Sequence, residues 1–407
     1  MRRRPGRPDG GIRRRLHVAH VSEPASEGVA VVQYSYIREQ LRRGWRVTVI
    51  CPTHGWLGYS ARAAGAEVRW WSASRGPGRS VLAETVELRR ILAEVDPDVV
   101  HLHSAKAGLA GRLAVRGRRP TIFQPHAWSF LAVEGWVRRA SLRWEQLAAR
   151  WTHRLVCVGE AERLAGEEAG IEVPTVVLPN GVDLRRLQLT EPHERLAARA
   201  GLGLRDLPTA VCVGRLARQK GQDALLDAWP SVRERVPDAQ LVLVGDGPER
   251  SALERRAADL DGVLLVGART DVPLWLAAAD VVVAPSRWEG MALAPLEAMA
   301  CGRSVVATAV PGIAEAVPAE AGQLVPSGDV AALADAVVYR LEAPQEAGEE
   351  GWAGRSHVED HHDELSSARR VLDVYLAVLR EQRGRAARRR PLPAVPGRGP
   401  GGSGTGS

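Results

Sequence analysis

The sequence predicts an α/β protein built on two parallel β-sheets, each covered by helices on both faces. Three observations carry this. At 407 residues the chain is long for one hydrophobic core and comfortable for two domains. Short valine-rich runs recur along it: Val47-Thr48-Val49-Ile50, Val99-Val100-His101-Leu102, Leu155-Val156-Cys157-Val158, Ala210-Val211-Cys212-Val213 and Leu241-Val242-Leu243-Val244. Alanine-rich stretches of helical character separate them. Apolar runs of this length without polar alternation read as strands buried on both faces.

The first domain is expected over residues 16–180. Its opening strand falls at Leu16 to Ser22, and a loop from Glu23 to Val29 follows. Helical patterning runs from Val32 to Arg43 and stops at Gly44, before the strand at Val47. Gly28 stands alone in the loop, without the triple-glycine fingerprint of a dinucleotide site. A helix over about Val81 to Glu94 precedes a strand reaching His101. Ser104 to Gly111 then opens a helix whose small residues allow close backbone approach.

Pro120 to Trp128 reads as a strand ending in a histidine and an aromatic loop. From Trp136 to Trp151, indoles alternate with Arg138, Arg139, Arg143 and Arg150; this suits an interfacial surface and equally suits ordinary packing with arginines reaching water. The strand at Val156, the helix from Glu160 and the strand at Val176-Val177-Leu178 close the domain. Pro179 to Asp183 reads as the crossing to a second domain, expected over 181–350, whose alternation begins near Leu207. Crossover and terminal helices are expected over 351–382. The last, Leu365 to Gln382, places Val371, Leu372, Tyr375, Leu376 and Leu379 on helical spacing.

The net charge of +7 belongs to the ends. Residues 1–15 carry +6 and residues 381–407 carry +5, so residues 16–380 carry −4. That distribution argues against a nucleic-acid-binding core, which needs basic residues on the fold itself. Residues 1–15 and 383–407 read as disordered basic tails, able to attract anionic lipid or simply to solubilise. Cys51, Cys157, Cys212 and Cys301 have no metal-site spacing and read as reduced, buried thiols. No run approaches a membrane span and no apolar leader opens the chain, so a cytoplasmic protein is expected, at most docked on the inner face of the plasma membrane.

The richest segment is Ser286 to Gly302, which follows a β-branched strand ending at Pro285. It sets Glu289 and Glu297 around Gly290 in an apolar context. Gly290 holds a turn that a bulkier residue would resist, and Pro295 to Ala300 reads as the start of a helix. Free amides over Gly290, Met291, Ala292 and Leu293 suit phosphate, while the two carboxylates suit sugar or ribose hydroxyls. The bland alternative is a solvated Glu289 and a Glu297 that complements the helix dipole.

Val213-Gly214-Arg215-Leu216-Ala217-Arg218-Gln219-Lys220-Gly221 also joins a strand to a helix, so Arg215 and Lys220 can neutralise a diphosphate at the strand end. Of 55 basic residues only Lys106 and Lys220 are lysines. Both lie in glycine-bearing segments where a compact, flexible charge has a use. Gly245 and Gly247 form a close-approach loop or a plain turn. His101 and His103 alternate on a strand, but no carboxylate or cysteine joins them at ligand spacing, so a zinc site is rejected.

The Glu289 to Glu297 spacing resembles the double-glutamate motif of retaining glycosyltransferases with the two-domain GT-B fold, specifically the large bacterial family 4 group. The resemblance covers about residues 16–380. It implies two Rossmann-like domains facing a cleft, with the terminal helix crossing back onto the first, and no metal or cofactor. Arg215 and Lys220 then match the donor-phosphate cations, Arg269 lies near the nucleobase, and Gly28, Gly214, Gly245 and Gly247 line the donor. His126 matches the active-site histidine that meets the transferred sugar. Gln124-Pro125 before it, and His101 to Gly108, resemble a subgroup often met among exopolysaccharide and lipid-linked oligosaccharide enzymes. The acceptor side is expected near Glu27, Lys106 and Trp128, with Glu27 standing where members typically carry glycine.

The implied reaction moves a hexosyl group from a UDP, GDP or ADP sugar to a hydroxyl of a glycan or polyprenyl-linked acceptor. The phosphate takes the acceptor's proton, so Glu289 and Glu297 are not the paired acids of a glycosidase. His126, Glu289, Arg215 and Lys220 form the catalytic set. The competing readings are an epimerase on the same fold, or an impaired donor-binding subunit of a polysaccharide assembly complex, the latter motivated by Glu27.

Overall fold

The computed structural model describes residues 15–388 except 75, 77 and 79. The expected tails fall largely outside these residues, but 383–388 belong to the terminal helix, Glu364–Arg388, which passes its expected end at Gln382.

Among the described residues, thirteen strands form two wholly parallel sheets. The first contains β1 (His17–Ser22), β2 (Arg46–Cys51), β3 (Glu67–Trp70), β4 (Val99–His103), β5 (Thr121–Gln124), β6 (Arg154–Cys157) and β7 (Thr175–Val177), in the order β3-β2-β1-β4-β5-β6-β7. The second contains β8 (Thr209–Val213), β9 (Gln240–Val244), β10 (Val263–Gly267), β11 (Val281–Ala284), β12 (Ser304–Thr308) and β13 (Gly322–Val325), in the order β10-β9-β8-β11-β12-β13. The valine-rich runs are the central strands, and every residue of β1, β4, β9 and β11 is buried. Apolar residues on both faces explain this: each sheet needs a helix layer above and below to remove them from water.

Those layers are visible as separate cores. Leu225, Trp229, Leu333 and Val337 cover one face of the second sheet, and Leu296, Met299, Ile313 and Val358 cover the other. On the first sheet, Val18, Val99 and Ile122 meet Val371, Leu372 and Tyr375 of the terminal helix. The apolar stripe read from the sequence is therefore the seam by which the end of the chain returns to the first sheet.

The two crossings between the domains run together. Val182 bridges Asp363, Val182 N–H donates to the His362 carbonyl at 2.8 Å, and His362 Nδ1 lies 2.8 Å from the Asn180 carbonyl.

Candidate functional site

Both sheets reverse strand order beside their first strand, between β1 and β4 and between β8 and β11. In open parallel sheets ligands bind at the carboxyl ends beside such a switch. Here the two switch points confront each other. Leu293 packs against cores of both domains, and a Cβ on Gly28 would come within 3.4 Å of it. A Cβ on Gly290 would come within 2.6 Å of the His126 carbonyl oxygen, so only glycine allows the loops to meet this closely.

On the second sheet's side, Lys220 Nζ donates to Glu289 Oε1 at 2.6 Å, and Ser286 Oγ donates to the same oxygen at 2.8 Å. Gln219 Nε2 reaches Glu289 Oε2 at 3.3 Å and the Trp288 carbonyl at 3.0 Å. The loop is tied down by Arg287, which forks onto Asp223 at 2.8 and 2.7 Å. Glu289 is nearly enclosed while Lys220 keeps about a quarter of its side chain exposed, 7% against 23%. A cation held at a cleft edge in this way can meet a phosphate without first losing all its water.

The helix after this loop is Leu293–Ala300, starting two residues before the proline that was expected to open it. Its first-turn amides belong to Leu293 and Ala294, and Asn180 Nδ2 fixes the entry by donating to the Met291 carbonyl at 2.9 Å. Glu297 is partly buried one turn in, and desolvation raises its carboxyl pKa against the lowering fields of Arg186 and Lys220. Gly214, Gly245 and Gly247 pack loop on loop: a Cβ on Gly245 would lie 1.9 Å from the Gly214 carbonyl oxygen. Arg269 forks onto Asp271 at 2.9 and 2.7 Å and lies over Trp275, holding the Asp271 carboxyl down to about 2.

On the first sheet's side, β5 stops at Gln124, and His126 sits in the loop beyond it with φ 59°, followed by Ala127 with φ 143°. Two successive non-glycine residues with positive φ are costly, and such backbone concentrates at functional sites. His126 Nε2 lies 3.1 Å from His103 Nδ1. Burial pushes the His126 pKa down to about 3, so the ring is neutral near pH 7. Across the cleft, Glu27 Oε2 lies 3.4 Å from Arg215 Nε. Glu27, expected on the acceptor side, is thus paired with the arginine expected to meet the donor diphosphate.

Two acceptor-side expectations are corrected. Lys106 is enclosed in an ion pair with Glu84 at 2.7 Å and donates to the Gly76 carbonyl at 2.7 Å, so it anchors a loop. Trp128 is 1% exposed, stacks on Phe130 and donates Nε1–H to the Glu162 carbonyl at 2.7 Å, which makes it core. His101 and His103, expected not to hold a metal, do not stand alone on the sheet. Register places His20 opposite His101, giving three imidazoles with ring nitrogens within 4.8 Å of one another.

Sequence reasoning also missed Ser286, Gln219 and Glu315. The last caps the helix Glu160–Glu168 across the domain boundary, accepting from Glu160 N–H at 2.6 Å and from Ala161 N–H. Its local sequence carries no signal, because its partners are a helix start in the other domain.

Two Rossmann-like domains joined at one edge and facing each other across loops of this chemistry define a GT-B glycosyltransferase. Residues 26–186 match Glycosyltransferase Family 4, and residues 207–343 match Glycosyl transferases group 1. The chain is 33% identical over 373 residues to a GDP-mannose-dependent alpha-(1-6)-phosphatidylinositol monomannoside mannosyltransferase of Mycolicibacterium smegmatis, covering 84% of this chain and 92% of that protein. It is 38% identical over 193 residues to a GDP-mannose-dependent monoacylated alpha-(1-6)-phosphatidylinositol monomannoside mannosyltransferase of Corynebacterium glutamicum. That match covers 45% of this chain and about half, 51%, of that protein. The chain therefore belongs to the family 4, group 1 glycosyltransferases, a retaining family. Its fold is that of Anabaena HepE, solved in complex with UDP-glucose, with TM-score 0.78, 22% identity and coverage of 89% and 100% of the two chains. WaaG, a glycosyltransferase of lipopolysaccharide biosynthesis, superposes with TM-score 0.69 at 20% identity, covering 88% and 99%.

Proposed function

We propose that this chain transfers a hexosyl group from a nucleotide-diphosphate sugar to a hydroxyl of a glycan or lipid-linked acceptor, with retention at the anomeric carbon. The observation that carries the reading is the Lys220–Glu289 pair at 2.6 Å beside a helix start that faces His126 across the cleft. As the bond from sugar to diphosphate breaks, negative charge grows on the leaving oxygens. Lys220, Arg215 and the amides of Leu293 and Ala294 stabilise it, strongly so in a closed and dry cleft. The acceptor oxygen attacks the anomeric carbon from the same face, and its proton passes to the departing phosphate. Glu289 positions Lys220 and binds sugar hydroxyls, Glu297 takes the ribose, and His126 meets the sugar from the other domain.

The mannosyltransferases named above make GDP-mannose the first donor to test, with UDP and ADP sugars beside it. Among the described residues no helix is long and apolar enough to cross a membrane. The helix Gly135–Ala149 exposes Trp136 and Leu147 beside Arg138, Arg139 and Arg143, which supports peripheral contact with anionic lipid near a lipid-linked acceptor. One observation favours a second reading. The Glu27–Arg215 pair occupies the arginine assigned to the diphosphate, as a donor-binding subunit without turnover would tolerate.

A thermal-shift panel of nucleotides and nucleotide sugars tests the assignment. A donor at about 100 times its Kd stabilises by about 2.7 kcal/mol, and Glu289→Ala and Lys220→Ala each remove most of that response. If neither variant weakens it, the site is misassigned. Donor binding without turnover across acceptors selects the second reading.

A further inference from the structure

Behind His126, five buried polar side chains that the proposed reaction leaves unused form an unbroken hydrogen-bonded chain. His103 Nδ1 lies 3.1 Å from His126 Nε2, and His103 Nε2 lies 3.0 Å from His20 Nδ1. His20 Nε2 lies 3.0 Å from Gln40 Oε1, and Gln40 Nε2 donates to the Tyr375 hydroxyl at 3.4 Å. Tyr375 closes the chain on His101 Nδ1 at 2.7 Å. All five are 0% exposed, and they come from β1, β4, the first helix Gly28–Arg42 and the terminal helix. Each contact joins two different elements or loops, 20 to 335 residues apart, so the chain is a product of the tertiary fold.

The chemistry of the groups gives the chain a direction. An amide oxygen only accepts, so His20 donates from Nε2. A neutral imidazole holds one proton, so His20 Nδ1 accepts and His103 donates to it from Nε2. By the same step His103 Nδ1 accepts, and His126 donates from Nε2. Burial supports one proton per ring, with His20 lowered to about 4, His126 to about 3 and His103 well below the usual value. At the far end, Tyr375 receives from Gln40 and gives its proton to His101. The remaining His101 Nε2 is buried without a partner. His126 is left with Nδ1 as a lone pair, and no described side chain bonds to it.

We propose that His103, His20, Gln40 and Tyr375 are positioning residues for His126: they fix its ring as the Nε2–H tautomer and leave its bare Nδ1 as the cleft-side acceptor for a hydroxyl of the transferred sugar. The part concerning the sugar rests on the proposed transfer reaction; the tautomer does not. Because Tyr375 lies on the helix that returns from the second domain, seating that helix completes the chain. The orientation of Gln40 is its polarity switch, since a reversed amide would turn every proton round and place one on His126 Nδ1.

The test uses the full chain labelled with ¹⁵N-histidine, read by long-range ¹H–¹⁵N spectra near pH 7.5, with His126→Gln assigning the His126 signals. The expected result is Nε2–H on His126, His103 and His20 alike, and loss of the single His126 tautomer in Gln40→Leu. Nδ1–H on His126 in the unsubstituted chain overturns the proposal. So does one equivalent of bound transition metal in the purified protein, because an ion on His20, His101 and His103 would consume the lone pairs that the chain uses.

A kinetic arm follows nucleotide release from GDP-mannose, or from whichever donor the panel selects. His103→Leu lowers kcat about tenfold with donor Kd within about twofold, whereas His103→Asn, whose Oδ1 replaces Nδ1 as acceptor, recovers most of the rate. Equal rates in these two variants overturn the positioning role. If the unsubstituted chain turns over no donor, the transfer reading fails and the spectra still decide the tautomer.

Discussion

On the second sheet's side of the cleft, the polar residues are charged and partly wet: Lys220 on Glu289, Arg287 on Asp223, Arg269 on Asp271. On the first sheet's side, the residues behind His126 are imidazoles, an amide and a phenol, all dry. Two of its buried ion pairs, Lys106–Glu84 and Arg112–Glu145, share no residue with the His126 chain. The difference fits the roles proposed for the two sides. A diphosphate needs cations that have kept their charge, and cations keep it cheaply at an edge. Neutral donors and acceptors can orient a sugar at a depth where ions would be expensive.

Acidification should break the comparison most strongly. In the unfolded chain each histidine titrates near 6.5, whereas His20 is lowered to about 4, His126 to about 3, and His101 and His103 well below 6.5. Between those values the unfolded state binds more protons, so stability falls as pH drops from about 6.5 towards 4. The slope reaches about 1.4 kcal/mol per pH unit for each ring that stays neutral. Urea midpoints at pH 7.5, 6.5, 5.5 and 4.5 measure it; a flat profile would mean that the rings are not sealed.

Glu145→Ala comes next. It leaves Arg112, 1% exposed, with its 2.9 Å partner gone, and should cost about 3–5 kcal/mol of stability without affecting the pattern of nucleotide preference. Calorimetry alongside the donor panel checks both halves of that statement. On the wet side effects should be smaller. Glu27→Gly removes one half-exposed partner of Arg215, so stability should change by less than about 1 kcal/mol while donor affinity rises a few-fold. Unchanged affinity would separate Arg215 from the diphosphate. Trp136→Ser should be smallest in solution, within about 0.5 kcal/mol, because its side chain is 77% exposed. Sedimentation with anionic vesicles should nevertheless show weaker association.

The wet side was the more legible in sequence because its parts are local. A strand, a glycine loop and a helix start follow one another from Val281 to Ala300, and the carboxylates sit within that span. Only the helix start was displaced, since Pro295 occupies the third helical position instead of the first. The dry side was legible only at His126. His20 and His101 meet through the pairing of β1 with β4, and His101 meets Tyr375 through the return of the terminal helix. No local pattern encodes either contact. Lys106 misled for the same reason: its partner Glu84 lies on the preceding helix, Val81–Val95, and the pair closes only when the two helices pack.

The paired crossings at Val182 and Asp363 have a mechanical consequence. With both covalent links at one edge and tied to each other, the domains have a pivot there, and displacement grows with distance from it. Glu315, capping the Glu160–Glu168 helix from the second domain, and Arg215 beside Glu27 act as latches on that lever arm. Spin labels at the far rims should separate widely when both latches are cut by Glu315→Ala with Glu27→Gly, while labels flanking 182 and 363 hold their spacing.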